Sequence, residues 1–134
     1  RIPMYFTCVC PEGFEPDQKT IKLVEDTGIS TVEISNDPKL DISGADVIYT
    51  DVWASMGEKE ETKMREKLFA EFQVNSAMME STGKNSLFMH CLPAERGREV
   101  TDAVMESPNS IVFDQAENRL HAQNAIMVKI AGKT

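Results

Sequence analysis

Short apolar runs alternate with amphipathic stretches along this chain of 134 residues. The apolar runs have the length of buried strands, and turn-forming residues such as Pro11, Gly13 and Pro38 bound them. This pattern predicts strands at residues 4–10, 31–34, 47–50, 87–89 and 111–113. Because helical stretches separate them, the strands are expected to run parallel and to be joined by right-handed crossovers.

Helices are predicted at residues 17–26, 58–72, 101–106 and 115–131. In the first, Ile21 and Val24 point inward, and in the second Met64, Leu68 and Phe72 recur every four residues among Glu and Lys. The second half of the last helix is apolar nearly all round, which predicts burial on several sides. These elements indicate an α/β fold, with a doubly wound, mostly parallel sheet flanked by helices.

Composition narrows the class of protein. Hydrophobic residues (41%) and charged residues (27%) are in ordinary globular proportion, and 134 residues suffice for one domain. No apolar run reaches the ~20 residues of a membrane span. The opening Arg-Ile-Pro does not begin a basic and then apolar stretch, so no secretory signal is predicted from these residues. A net charge of −8, with acidic and basic residues mixed, argues against nucleic acid as a partner.

The three cysteines form no recognisable metal or redox motif. Cys8 and Cys10 are two residues apart in a predicted strand, so they share one face and are expected to act as small hydrophobic side chains. Together with His90 and Cys91 they offer no ligand pair with the usual spacing, and no metal site is predicted. A reduced, cytoplasmic location fits these cysteines best.

Reactive side chains follow two of the predicted strands. Asp51 ends the strand at 47–50, and His90-Cys91-Leu92-Pro93 ends the strand at 87–89. Ligands of open α/β sheets bind beyond the carboxyl ends of the strands, so neighbouring strands would bring the Asp51 carboxylate and the Cys91 thiol to one point. A simpler interpretation stays open for each: a turn or capping aspartate, and a buried core thiol.

Three strings carry a resemblance to a known family: LFMHCLPAER at 87–96, DVWASMG at 51–57 and DQAENRLHAQ at 114–123. They resemble the carbamoyltransferase family, and the similarity runs from about Met4 to Lys129. Within the family the chain is most similar to the members that use ornithine. The resemblance implies transfer of the carbamoyl group of carbamoyl phosphate to the side-chain amine of L-ornithine, which gives citrulline and phosphate in arginine metabolism.

The resemblance also implies roles for individual residues. Asp51 and Cys91 would contact the reacting amine, as the catalytic pair, while Ser55 and Met56 would belong to the loop that selects ornithine. The residues that it implies in carbamoyl phosphate binding are Cys91, Leu92 and Arg119. The family uses no metal or organic cofactor, and the parent enzyme would be a homotrimer or an assembly of trimers.

Bland interpretations exist for some of these positions. Ser55 could cap the helix that follows it, with Glu58 three residues further on, and an arginine in a helix, such as Arg119, is usually a solvated charge. No family role maps onto Arg96 or Arg98, so both are expected to be surface charges. His121 is expected to lie on a helix face.

Parts of the family pattern do not occur in the chain. The family's amino-acid-binding domain begins with a strand and a helix that precede the equivalent of Met4 and carry a GDGNN-like turn. Neither this turn nor the STRT and HPxQ motifs of the carbamoyl-phosphate domain is found. Residues 1–134 are therefore expected to be most of the ornithine-binding domain, with 115–131 as its C-terminal helix and without the first strand–helix unit.

The same residues suggest two rival functions. A cysteine hydrolase needs a base beside its thiol, but His90 and Cys91 are neighbours in an extended segment and should point to opposite sides. A catalytically inactive amino-acid-binding fragment, or a carbamoyltransferase for a related amine, stays open as an alternative.

A sharp bend is expected after Cys91, so that both its thiol and the Leu92 carbonyl face the substrate. Only a peptide bond before proline takes the cis form at low cost, about 0.5–1 kcal/mol. The resemblance implies the same geometry, and we therefore predict a cis peptide bond at Leu92–Pro93.

Overall fold

The computed structural model describes residues 2–54 and 59–132, with the backbone alone for residues 59–62. A short 3-10 turn, Ala70–Phe72, follows directly on the helix Lys59–Phe69. The strands and α-helices are, in chain order, β1 Tyr5–Val9, α1 Gln18–Glu25, β2 Thr31–Ser35, β3 Val47–Thr50, α2 Lys59–Phe69, α3 Ser76–Ser81, β4 Leu87–His90, α4 Asp102–Met105 and α5 Val112–Ile130.

The strands pair in parallel, as the alternation of strands and helices predicts. β1 pairs with β2, with Tyr5 opposite Thr31, and β3 pairs with β4, with Val47 opposite Leu87. Helix α1 connects the first pair, and α2 and α3 lie between the strands of the second. Within the described residues β1 and β3 are not paired with each other, so the strands form two two-stranded sheets.

The local signals at the start of the chain predict the first helix correctly. Asp17 is its N-cap and accepts a hydrogen bond from the Thr20 backbone N–H at 3.1 Å. Ile21 is buried and Val24 half-buried, as their spacing predicts. Gly28 then takes a φ of +63°, a left-handed conformation that suits glycine and ends the helical segment.

The predicted strand at 111–113 is wrong. The Phe88 N–H donates to the Asn109 carbonyl at 2.9 Å and the Ile111 N–H donates to the Phe88 carbonyl at 3.0 Å. The resulting contact is a single bridge between Phe88 and Ser110. Helix α5 begins immediately afterwards, with Val112 buried in its first turn, so the apolar residues at 111–113 are the start of a helix.

The four-residue apolar repeat of α2 does not lead to burial, and the predicted burial of the last helix is wrong. Met64 and Leu68 of α2 are 53% and 47% exposed, and Phe69 instead packs on the rings of Phe14 and Trp53, with centroids 4.9 and 5.9 Å away. The apolar second half of α5 is exposed as well. Its exposed side chains include Ile126, Met127, Val128 and Ile130.

The main core lies around β4 and the segment that follows it. Its buried members are Val74, Phe88, Val100, Val104, Met105 and Val112. Helix α3, which the pattern missed, is capped by the Asn75 side chain, whose oxygen accepts from the Met78 N–H at 3.0 Å. Its Met78 and Met79 pack against this core.

In the described part of the chain, no helix combines the length and hydrophobicity that crossing a membrane requires.

Candidate active site

Asp51 and Cys91 lie side by side at the carboxyl ends of two paired strands. The parallel register of β3 and β4 places Thr50 opposite His90, so the next residue of each strand leaves the sheet at the same edge. The Cys91 Sγ is 3.0 Å from Asp51 Oδ1 and donates a hydrogen bond to it. The same carboxylate oxygen accepts from the Val52 N–H at 2.7 Å. The convergence predicted from the strand ends is thus present.

The thiol of this pair is held in its protonated form. Burial raises the pKa of Cys91, and the hydrogen bond and negative charge of Asp51 raise it further, while the Tyr49 hydroxyl acts in the opposite direction. The pair therefore presents one acceptor, the carboxylate, and one donor already directed at it.

Cys8 and Cys10 have the structural role that their spacing predicts. Cys8 lies in β1 and is half-buried, and Cys10 lies just after β1 and is buried. Both are free thiols. Burial and the neighbouring Cys8 raise the pKa of Cys10 to about 11. A thiol with so high a pKa is a poor nucleophile. Cys91 is the cysteine at the strand-end site because its thiol lies beside Asp51.

His90 is nearer to Cys91 than its position in an extended segment predicts. Ligand atoms of Asp51, His90 and Cys91 all lie within 4.8 Å of one another. The His90 Nδ1 accepts a hydrogen bond from the Leu92 N–H at 2.9 Å, and its Nε2 lies 3.3 Å from Glu99 Oε1. Both ring nitrogens therefore face other groups, so the ring is not placed as the base of a Cys–His dyad.

The same three residues have donor types that a divalent transition metal accepts. A thiolate, an imidazole and a carboxylate suit Zn²⁺, and the mutual spacing of their ligand atoms is compatible with a shared ion. Binding would require the Cys91 thiol to lose its proton against a raised pKa, and a ring nitrogen to leave its partner. The sequence-based prediction of no metal and no cofactor stays a prediction.

The backbone bends sharply at Leu92, as predicted. The Leu92–Pro93 peptide bond is cis, and Leu92 itself has a φ of +57°. This left-handed conformation is uncommon for a residue with a branched side chain, and it needs support from its surroundings. The hydrogen bond from the Leu92 N–H to His90 supplies part of that support.

Gln115 is a site residue that sequence reasoning missed. Its side-chain oxygen accepts from the His90 N–H at 3.1 Å, and its Nε2 donates to the Tyr49 hydroxyl at 3.2 Å. Burial raises the pKa of Tyr49, and the hydrogen bond from Gln115 opposes that shift. One amide side chain thus connects β3 and β4 to helix α5. Its place in the DQAEN string was the only available signal.

The remaining predicted site residues lie further from the pair. Arg119 is exposed on α5, one helical turn after Gln115 and so on the same helix face. Ser55 and Met56 lie outside the described residues. Trp53, just before them, accepts a hydrogen bond through its carbonyl from Arg65 of α2 at 3.0 Å.

Three predicted surface positions contact carboxylate groups. Arg96 pairs with Asp102 and Glu106, at 3.0 and 2.6 Å, and Arg98 pairs with Glu95 and Glu66, at 2.6 and 2.8 Å. The other histidine, His121, lies on the exposed face of α5, as its spacing predicts. Its Nε2 is 3.3 Å from a carboxylate oxygen of Glu117, one turn earlier.

Known proteins resemble this chain in both sequence and structure. The family model described as aspartate/ornithine carbamoyltransferase, Asp/Orn binding domain, matches residues 1–130. The chloroplastic ornithine carbamoyltransferase of Pisum sativum is 59% identical over 132 residues, which cover 98% of this chain and 35% of that protein. The chain therefore spans about a third of the length of this relative.

Solved structures give the same result for the fold. The ornithine carbamoyltransferase from Pyrococcus furiosus matches with a TM-score of 0.86 and 41% identity, over 99% of this chain and 50% of that one. An N-acetyl-L-ornithine transcarbamylase matches with a TM-score of 0.78 and 35% identity, over 94% and 40%. The Rossmann-like α/β fold is thus established, and the chain belongs to the aspartate/ornithine carbamoyltransferase family.

Proposed function

We propose that the protein to which this chain belongs is an ornithine carbamoyltransferase, which makes L-citrulline and phosphate from L-ornithine and carbamoyl phosphate. The observation that supports this best is the Asp51–Cys91 pair, 3.0 Å apart at the ends of β3 and β4. Family membership gives the reaction class, and the pair offers a place for the reacting amine.

The pair suits an amine that arrives protonated. An alkyl ammonium has a pKa near 10.4 in water, so the Asp51 carboxylate can first bind it as an ion. The amine must then lose one proton to attack, and a carboxylate with a thiol proton beside it can receive and relay that proton. The amine nitrogen forms a bond to the carbonyl carbon, and the bond from that carbon to the phosphate oxygen breaks. The nitrogen then loses its second proton, which the departing phosphate can accept.

Carbamoyl phosphate would lie against the Cys91–Leu92 backbone and Arg119. A guanidinium is always charged and binds oxygen atoms through two parallel hydrogen bonds, which suits a phosphorylated substrate. The bend at Leu92 would turn its carbonyl toward the carbamoyl amide. Arg119 lies one turn beyond Gln115, whose side chain contacts the β3–β4 edge, so its position is compatible with this role.

The substrate would be selected by the loop that contains Ser55 and Met56. We propose that this loop binds the α-amino and α-carboxylate groups of ornithine. The likeness to an N-acetyl-L-ornithine transcarbamylase makes ornithine acylated on its α-amino group the first rival substrate. Putrescine is the second rival substrate. It has the reacting amine but no α-carboxylate for the loop to bind.

We further propose that residues 1–134 are most of the ornithine-binding domain, and that another part of the protein supplies the carbamoyl-phosphate domain. The coverage of only 35% of the pea relative supports this. A homotrimer, with sites between subunits, is the proposed assembly. A cytoplasmic location is proposed, and the three free thiols are consistent with a reducing compartment.

Citrulline formation by the full-length protein tests the proposal. Ornithine should be preferred over putrescine and N-acetylornithine by orders of magnitude in kcat/KM, because groups that bind the α-substituents are left unpaired by the analogues. Citrulline formation at only the uncatalysed rate would refute the proposed carbamoyltransferase activity. A higher kcat/KM with N-acetylornithine or putrescine would instead assign the protein to the corresponding relative.

A further inference from the structure

Glu99, the buried contact partner of the strand-end histidine, has no role in the function proposed so far. His90 and Glu99 both have 0% of their side-chain surface exposed, and Nε2 lies 3.3 Å from Oε1. A buried carboxylate is costly unless nearby groups compensate its charge. Within the described part of the chain, Nε2 of His90 and Oε2 of Glu99 also lack well-aligned hydrogen bonds. Buried polar atoms in such a state call for a functional explanation.

The two side chains hold both ends of the loop that carries the thiol. At the first end, His90 Nδ1 accepts from the Leu92 N–H at 2.9 Å. At the second end, a Glu99 carboxylate oxygen accepts a short hydrogen bond from the Glu95 N–H. The segment from His90 to Glu95 contains Cys91 and the strained Leu92. The contact between the His90 and Glu99 side chains therefore helps to fix the shape of this segment.

The hydrogen bonds also determine which ring nitrogen carries the proton. Because Nδ1 accepts from the Leu92 N–H, the proton of a neutral His90 ring must be on Nε2, where it faces the Glu99 carboxylate. The partner of one ring nitrogen selects the tautomer and so the role of the other. Loss of the Glu99 charge would remove the preference for Nε2–H and weaken the hold on Leu92.

We infer that Glu99 is a positioning residue: it fixes the Nε2–H tautomer of His90, which anchors Leu92 and so places the Cys91 thiol on Asp51. This inference rests on the proposed carbamoyltransferase function. Glu99 itself would touch no reacting atom. It acts through His90 on the loop that presents both the thiol and the Leu92 carbonyl.

The chain contains a matched control for this pair. His121 and Glu117 have the same 3.3 Å separation between Nε2 and a carboxylate oxygen, but 61% and 70% of their side-chain surfaces are exposed. They lie one turn apart on α5, where water screens their charges. Exposed pairs of this kind contribute little, so substitutions there control for the loss of a His–Glu contact as such.

The kinetic test compares E99Q with E117Q in the full-length protein. The glutamine oxygen of E99Q can still accept from the Glu95 N–H, but its charge is lost. We expect kcat to fall by about 10- to 100-fold, by analogy with the loss of a carboxylate that orients a metal-binding histidine, with a smaller change in KM for ornithine. E117Q should retain wild-type values. Wild-type kcat in E99Q would overturn the inference.

A second readout does not depend on activity. In protein labelled with 15N-histidine, the His90 ring, assigned by its loss in H90N, should show a protonated Nε2 and an unprotonated Nδ1. This tautomer signal should be altered in E99Q and unchanged in E117Q. A wild-type His90 ring protonated on Nδ1, or on both nitrogens, would overturn the inference even if citrulline is made. If no citrulline is made, the proposed function fails while this measurement still decides the role of Glu99.

The conservative variant separates positioning from folding. H90N places an amide oxygen near the former Nδ1, where it can accept from the Leu92 N–H, whereas H90A removes that acceptor. H90N should therefore retain more activity than H90A at similar thermal stability. Equal losses in both variants would count against an anchor at Leu92.

Discussion

The two β-α-β halves of the chain share a parallel plan but differ in how completely they are packed. Around β3 and β4, Phe88, Val100 and Val112 have no exposed surface. Around β1 and β2, an apolar groove of about 510 Å³ lies open between α1 and the strands. Side chains that line it include Met4, Phe6 and Leu23, which are 51%, 48% and 69% exposed.

The difference shows that strand pairing and burial have separate causes. Both strand pairs have a regular parallel register of four or five residues, because pairing needs only backbone hydrogen bonds. Burial needs partners on the faces of the sheet, and α3, α4 and α5 provide them for β4. The proposed site is built on the packed half, where the surrounding core fixes the side chains that position Asp51 and Cys91.

The largest expected effect contrasts one phenylalanine from each half. Phe88→Ala should lower the free energy of unfolding of the full-length protein by about 3–5 kcal/mol, the usual cost of emptying a buried aromatic site. Phe6→Ala, at a side chain that is about half exposed, should cost about 1 kcal/mol. Urea denaturation of both variants measures the difference. Equal costs would break the contrast and show that the groove is filled in the full-length protein.

A smaller contrast concerns two hydroxyl groups. Ser86 is buried, and its Oγ donates to the Ala45 carbonyl at 2.6 Å. Ser30, beside the groove, donates to the Ile2 carbonyl at 3.2 Å. Ser86→Ala should cost about 1–3 kcal/mol because it removes a buried hydroxyl and leaves the part-buried Ala45 carbonyl without this partner, whereas Ser30→Ala should stay within about 0.5 kcal/mol. Thermal unfolding of both variants tests the order, and a larger cost at Ser30 would reverse it.

The smallest expected effect is a change in the pKa of one cysteine, Cys91. Asp51 raises the pKa of Cys91 through a hydrogen bond and its negative charge. Removing that charge in Asp51→Asn favours the thiolate, so the pKa of Cys91 should fall and its alkylation at pH 7 should become faster. Mass spectrometry of each cysteine-containing peptide after iodoacetamide treatment, across a pH series, gives the rates.

Cys10 is the internal control in the same experiment. Its raised pKa, about 11, comes from burial and from Cys8, so the substitution at Asp51 should leave its rate unchanged. A Cys91 rate that is unchanged or slower in Asp51→Asn would show that the carboxylate does not control the thiol.

The sequence predicts the parts of this molecule that depend on local pattern. The strands at β1 to β4, the helix capped by Asp17 and the convergence of Asp51 with Cys91 follow from periodicity, capping and the geometry of parallel strand ends. The family resemblance adds the bend at Leu92. These features are set by residues close together in the chain, or by the simple rule that adjacent parallel strands end at one edge.

The features that sequence reasoning missed depend on contacts between distant or ambiguous segments. Glu99 resembles any charged loop residue until the fold buries it against His90. The apolar start of α5 has the composition of a strand, and only its single bridge to β4 distinguishes the two. The exposure of the second half of α5 could not be foreseen either. An apolar stretch indicates that its side chains need burial, but it does not show whether residues 1–134 contain the surface that would cover them.

The central claim is that Asp51 and Cys91 act together on one amine, and a double-mutant cycle in the full-length protein tests it most directly. The measured quantity is kcat/KM for ornithine in wild type, Asp51→Asn, Cys91→Ala and the double variant. Groups that act as a unit are strongly non-additive, so the double variant should lose about as much as the worse single variant. Losses that multiply in the double variant, or wild-type kcat/KM in either single variant, would contradict the claim.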